Sequence, residues 1–386
     1  MRQFVGGEVC RASSVLSPSN PAKKVVRSMI QQVPFRLPVS KPHRCTPGRS
    51  VGVVLLVLIA ACASLLAACG GSTESSKEAS DVSLKVGVIS PGSSARQVNR
   101  MKSGAFDGAE YSVEWVEFAT TNDALPALIS GAIDVALLVQ SPNAVLAAGN
   151  ATEPWTTETA PFVIVGAALP YVEDGQLVIV KTDSPIQSLD DLRGRSITFP
   201  RGSLQQYCWA KLRLSNNLPD GAVNEVLMAA GEARAAYLSG AIEANVANSW
   251  ARSQIVAGKS RSIATCEPSV APEYTVTLAR ARLLDDQATA AAVSDLLERS
   301  QTAEAWWNDN RDEAAKTYIE VASQSVAEAA ASAKYDNRVR VPLDAETIAA
   351  IQDEADVFAE LGVMRTRPDI AFLFDNRFDD GLTRGR

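Results

Sequence analysis

A short stretch that occurs twice limits what this chain can fold into more than any other feature. Leu128-Ile129-Ser130-Gly131-Ala132-Ile133-Asp134 is echoed about a hundred residues later by Tyr237-Leu238-Ser239-Gly240-Ala241-Ile242-Glu243. The copies share Ser-Gly-Ala-Ile and exchange Asp only for Glu. In each, a helical pattern meets a glycine, which can turn left-handed at a helix end without steric cost, and an apolar run follows. A helix that stops at glycine and feeds a buried strand is the joint of an α/β fold with a mostly parallel sheet. Two such joints predict two lobes on one plan, each ending a strand at a shared cleft. Ser141-Pro142-Asn143 closes the first strand and Asn248-Ser249-Trp250 the second.

The rest of the chain fits around that pair. Strands are expected at 84–89 and 112–118, and a helix capped by Asn122-Asp123 carries Leu125, Leu128 and Ile129 on one face. Gly175 to Val180 makes the first crossing between lobes, and Tyr274 to Leu278 brings the chain back. Helices follow from Asp285. The last starts after Asp344, repeats Ile348, Ile351, Ala355, Phe358 and Leu361 at helical spacing, and stops at Gly362. The predicted division is a first lobe from 82–175 and 271–386 and a second lobe from 176–270. Trp306-Trp307 is expected in the core.

Residues 1–68 read differently. Arg44 and Arg49 precede an uncharged apolar run from Val51 to Leu66, and Leu66-Ala67-Ala68-Cys69 closes it. Sixteen apolar residues fall short of the roughly 20 that a membrane span needs. A basic start, an apolar middle and small residues at the exit make a secretory leader, and the cysteine makes it a lipobox. The expectation is a leader over 1–68, lipidation at Cys69, and a solvated tether over 69–81 that holds the protein outside the cytoplasm on acyl chains.

Composition then removes whole classes. Residues 1–68 carry nine of the 37 Lys and Arg and one of the 44 Asp and Glu, leaving 28 basic groups against 43 acidic ones. Such an acidic chain is a poor nucleic-acid binder, and any anion it holds must be held by local donors. The single histidine, His43, lies in the leader. Without histidine, Ser-His-Asp and Cys-His catalysis and every histidine-containing zinc site are excluded. No metal or cofactor is expected, and no enzyme activity. Cys208 and Cys266 are the cysteines left after Cys69. In an oxidising compartment they either pair or stay as separate buried thiols.

Several ordered stretches resemble one family. They are 113–118, 128–134, Asp183-Ser184-Pro185 through Leu192-Arg193-Gly194, Arg201-Gly202-Ser203, Ala230 through Tyr237, and Val341-Pro342-Leu343-Asp344. Together they are similar to the aliphatic-sulfonate, taurine and nitrate solute-binding proteins of ABC importers, over roughly residues 82–370. The resemblance implies a type II periplasmic-binding-protein-like fold. It also implies a small organic anion as ligand, a membrane permease with its ATPase as partners, and a monomer.

Helix N-termini and hydroxyls can hold such an anion without a positive protein, because free N–H groups and the helix dipole supply local potential. Arg201, Gly202 and Ser203 follow a strand at 196–199 and start a helix, so they are the first candidates. Gln140, Ser141, Ser93 and Ser94 are expected opposite them, with Asn248, Ser249 and Trp250 beside the second strand end. The chain departs from the family where sulfonate binders read Gly-Asp-Ala-Pro and Trp-Asp-Pro-Tyr; here stand Val139-Gln140-Ser141-Pro142 and Asn248-Ser249-Trp250-Ala251. A neutral or aromatic ligand such as a pyrimidine precursor, stacked on Trp250, Tyr207 or Trp155, is the alternative.

Overall fold

The computed structural model describes residues 81–89, 95–172 and 174–382. The expected leader, Cys69, Ser93 and Ser94 lie outside the described residues. The chain first lays down β1 (Ser83–Ile89), α1 (Ala95–Lys102), β2 (Ser112–Phe118), α2 (Thr121–Ser130), β3 (Val135–Gln140), α3 (Ser141–Gly149) and β4 (Phe162–Pro170). It then builds β5 (Gln176–Lys181), β6 (Ser196–Phe199), α4 (Leu204–Ser215), β7 (Asn224–Leu227), α5 (Ala230–Ser239), β8 (Ala244–Ala247), α6 (Ser249–Val256) and β9 (Ser260–Cys266). It finishes with β10 (Thr275–Arg280), α7 (Gln287–Asp309), α8 (Arg311–Ala322), α9 (Val326–Tyr335), β11 (Arg338–Val341) and α10 (Ala345–Glu360).

Two sheets result, in the orders β11-β4-β10-β3-β1-β2 and β7-β6-β8-β5-β9. They are mixed, not mostly parallel as the sequence suggested. β1 runs parallel to β2 and β3, and β6 runs parallel to β7 and β8. β10 runs antiparallel to β3 and β4, and β5 antiparallel to β8 and β9. The reason is the double crossing. β3 and β8 end at the boundary between the lobes, whereas β5 and β10 enter their lobes there and so must run the other way. Thr275, the first residue of β10, pairs with Gln140, the last of β3.

The duplicated stretch is the same device in both lobes. α2 and α5 end at Gly131 and Gly240, each at φ +79°. In that conformation Ala132 donates its N–H back to Ala127 and Ala241 to Ala236, satisfying carbonyls the helix ends would leave open. The acid that closes each copy pins the neighbouring strand: Asp134 accepts the Lys85 N–H and Glu243 the Ser196 N–H, both at 2.9 Å. Asp and Glu interchange because both reach a strand amide. Two details differ from expectation. Thr120, not Asn122-Asp123, is the N-cap of α2, and Ile129 is exposed while Leu125 and Leu128 are buried.

The main core runs beneath β3, β4 and β10 and continues into the second sheet through Val178, Ile197 and Phe199. α10 adds Ile351, Ala355 and Phe358, and its N-cap Asp344 accepts from Thr347 N–H. Trp307 is buried among α7, α8 and α9 and donates Nε1–H to the Ala333 carbonyl. Among the described residues no helix is long and apolar enough to cross a membrane.

Candidate functional site

β3 carries a bulge just before the lobe boundary. Its register with β10 slips by one residue, and Leu138 takes up the slack at φ +52°. Such bulges re-aim the residues that follow. Here Gln140 is brought to the cleft, where its Oε1 accepts the Leu204 N–H of α4 at 3.1 Å across the lobes.

That contact changes the reading of the Arg201-Gly202-Ser203 turn. Gly202 has φ +65° and donates its N–H to Gln206 Oε1 at 2.6 Å. Ser203 Oγ accepts from Gln206 N–H at 3.1 Å and donates to the Pro200 carbonyl at 2.7 Å. The N-terminal amides of α4 at Leu204 and Gln206 are therefore taken by protein groups. Ser203 and exposed Arg201 line an outer groove of about 600 Å³ that also takes in Gln140 and residues 119–123 at the start of α2. Ser203 is a cap there, not a free anion donor. Ser141, expected at the cleft, does not reach it either. It is fully buried and its hydroxyl lies between the Tyr274 carbonyl at 2.9 Å and Glu354 Oε1 at 2.7 Å, so it turns away from the cleft.

An inner cavity of about 280 Å³ lies deeper between the lobes. The sequence-derived candidates Gln140, Asn248, Ser249 and Trp250 line it. Asn248 Nδ2 donates to both oxygens of Glu273 at 3.0 and 2.8 Å, and its Oδ1 accepts from Arg252. Trp250 packs edge-on against Tyr237, with the Arg234 guanidinium 5.4 Å from its ring centre.

The residues that give this cavity its chemistry went unnoticed in the sequence. Arg96 of α1, Arg234 of α5 and Arg338 of β11 all face it, with Tyr318, Glu273 and Asp336 between them. Several buried polar atoms on its wall make no hydrogen bond to the protein: Arg96 Nη2, Arg338 Nε, Tyr318 OH and the amide oxygens of Gln176 and Gln205. Buried polar atoms left open cost roughly 1–3 kcal/mol each, so their concentration at one place marks where a ligand's polar atoms go. Burial lowers the pKa of Arg338 and of Arg234 and raises those of Tyr318 and Glu273. Burial also opposes the charge on Arg96, but Glu304 and Asp336 hold its pKa above the ordinary value. Arg96 and Arg100 are four residues apart on one helix, and Arg338 alternates with Arg340 on a strand. That spacing was the only available signal, and it does not reveal that the two segments meet.

Of the two alternatives left open for Cys208 and Cys266, the structure shows neighbouring but free buried thiols. Cys266 Sγ donates to the Cys208 carbonyl, 3.5 Å away. Burial keeps the Cys208 thiol protonated, and the thiol is the unreactive form. The remaining aromatic candidates are engaged elsewhere: Tyr207 donates to Asp353, and Trp155 packs edge-on against Phe162.

No family model and no curated protein matches the chain. Solved structures do. The alkanesulfonate-binding protein SsuA from Xanthomonas axonopodis pv. citri, bound to MOPS, aligns with TM-score 0.64 at 20% identity over 76% of this chain and 98% of its own. The periplasmic aliphatic sulphonate-binding SsuA of Escherichia coli gives 0.64 at 19% over 76% and 97%. The periplasmic nitrate-binding protein NrtA of Synechocystis PCC 6803 gives 0.60 at 15% over 78% and 87%. The desulfurization enzyme DSZB aligns at 0.53 and 14% over 78% and 98%. At such identities the likeness speaks to architecture, and it agrees with the two sheets and the cleft: the chain has the two-lobed α/β fold of the periplasmic binding proteins.

Proposed function

We propose that this protein is an extracytoplasmic solute-binding protein of an ABC importer. In this reading it captures a small organic anion in the inner cavity and delivers it to a membrane permease driven by its ATPase. The observation that carries the reading is the convergence of Arg96, Arg234 and Arg338 on one enclosed space with unmet donors. In a chain with 43 acidic groups against 28 basic ones after residue 68, guanidiniums drawn half out of water, as those of Arg96 and Arg338 are, are kept only where something offsets their desolvation. A sulfonate-like ligand fits the donor set and agrees with the sulfonate-binding structures that share the fold.

A neutral aromatic ligand fits less well. It needs a bare ring face, and Arg234 covers Trp250 while Tyr207 and Trp155 are engaged. We also read the protein as a binder and not an enzyme, although DSZB shares the fold. The chain after residue 68 has no histidine, and the buried Glu273 on the cavity wall is tied to Asn248. In the same reading it acts outside the cytoplasm as a monomer anchored through a lipidated Cys69, and the leader features of the sequence support the export and the anchor.

The test is a panel of alkanesulfonates, nitrate and uncharged pyrimidines added to the purified protein, following melting temperature and product formation together. Stabilisation by a sulfonate without turnover is expected. Turnover of a sulfonate would make it an enzyme, and stabilisation by a pyrimidine alone would shift the ligand class.

A further inference from the structure

Behind Gln140 the inner cavity adjoins a second space of about 120 Å³, and the two share Arg96, Gln140 and Arg338 in their walls. Too small for a whole solute, it is enclosed on the first-lobe side by α1, β1 and β3. Four buried N–H donors near it make no hydrogen bond to the protein: Arg96 Nη2, Gln97 Nε2, Arg100 Nε and Arg338 Nε. Gln97 and Arg100 are 8% and 6% exposed, so water does not satisfy them freely. All four are donors, and three belong to guanidiniums.

The rest of the pocket holds those groups in place. Glu304 of α7 lies 3.7 Å from Arg96 and 3.9 Å from Arg100, and accepts the Arg338 backbone N–H at 2.8 Å. Arg96 lies over the Trp307 ring at 5.4 Å and Arg100 over the Trp115 ring at 5.5 Å. Gln97 Oε1 accepts from Arg100 Nη1. Stacking and the shared carboxylate fix the guanidinium planes before any ligand arrives, which lowers the cost of ordering them on binding. Burial brings the Arg100 pKa down to about 10, which leaves it cationic at neutral pH.

Building on the anion-binding reading above, we propose that this pocket is the head-group subsite. It takes a compact three-oxygen oxyanion, a sulfonate or phosphonate, with one oxygen toward each of Arg96, Arg100 and Arg338, and Glu304 as the residue that positions them. The tail then lies in the inner cavity against Trp250 and Arg234 of the second lobe. A carboxylate has one oxygen too few to reach all three guanidiniums.

Calorimetry on the full chain with propanesulfonate, propylphosphonate and butyrate, which share one tail, tests this. The two three-oxygen anions should bind, and butyrate about tenfold or more weaker, the scale of one lost charge-assisted hydrogen bond. The sulfonate-to-phosphonate ratio then says which head is preferred. Arg100→Gln should weaken propanesulfonate binding by about tenfold or more and erase the preference over butyrate. Gln97→Leu reports on the same pocket without removing a charge, should Arg100→Gln fail to fold. Equal affinity for all three head groups overturns the subsite. So does an unchanged sulfonate affinity in folded Arg100→Gln while Arg234→Ala loses binding, and there the anion reading survives. If none of the three anions binds the parent chain and an uncharged pyrimidine does, the anion reading itself fails, and the subsite with it.

Discussion

Gln140 Oε1 accepts the Leu204 N–H at 3.1 Å, so the end of a first-lobe strand caps the start of a second-lobe helix. The bond exists only when the lobes are together. Removing it should loosen closure by the net worth of one neutral hydrogen bond, about 0.5–1.5 kcal/mol. Gln140→Ala should raise the radius of gyration in solution scattering at subsaturating ligand. Gln140→Glu retains the acceptor but adds a negative charge to the cavity wall, so it should weaken anion binding further. Identical affinities for the two variants would separate Gln140 from the ligand.

Gly202 faces Leu146 of α3 across the cleft. A Cβ there would run into the Leu146 side chain, and φ +65° adds strain of about 1–2 kcal/mol for any other residue. Gly202→Ala should lower the melting temperature and also hold the lobes apart. A variant with parental closure in scattering would contradict the contact.

Ser203 is expected to behave as a cap. Its hydroxyl is bonded to Pro200 and Gln206, so Ser203→Ala should cost about 1 kcal/mol of stability and leave ligand affinity near the parent's. Ser203→Asp, an equally good cap, should bind as the parent does. A large loss of affinity in either variant would put an anion back at that turn.

Glu354 sets a pH dependence. Burial holds its carboxyl pKa well above the ordinary 4.5, and the Ser141 hydrogen bond only partly offsets this. A carboxyl whose pKa is raised on folding contributes stability that is full below the ordinary pKa and is lost as pH rises through the folded value. Glu354→Gln keeps an acceptor for Ser141 and has no proton to lose. Its melting temperature should therefore fall less than the parent's between about pH 5 and pH 8. Parallel curves would assign the dependence to another group.

Cys69→Ala should abolish lipid labelling and leave the precursor uncleaved, because the modification needs the thiol. A labelled, membrane-bound product in that variant would rule the anchor out.

Local sequence determined the joints. Glycine at 131 and 240, an acid three residues later and a buried strand after that have one physical solution, because backbone carbonyls at a helix end and amides at a strand start must be satisfied. The N-cap at Ser203, the cap at Asp344 and the apolar face of α10 were legible for the same reason: each is decided within a turn or two of chain. Tertiary structure alone decided which polar groups remain open. Ser141 and Ser203 look like donors in sequence, but Tyr274, Glu354, Pro200 and Gln206, some of them distant, occupy their hydroxyls. Arg96 and Arg338 look like surface charges until the fold brings them, half-buried, to one cavity, 242 positions apart in the chain. Mixed sheet direction belongs to the same class, since a strand's sense depends on which lobe the chain is entering. Caps are short-range and can be read along the chain, whereas burial and charge convergence are long-range and appear only once the lobes are assembled.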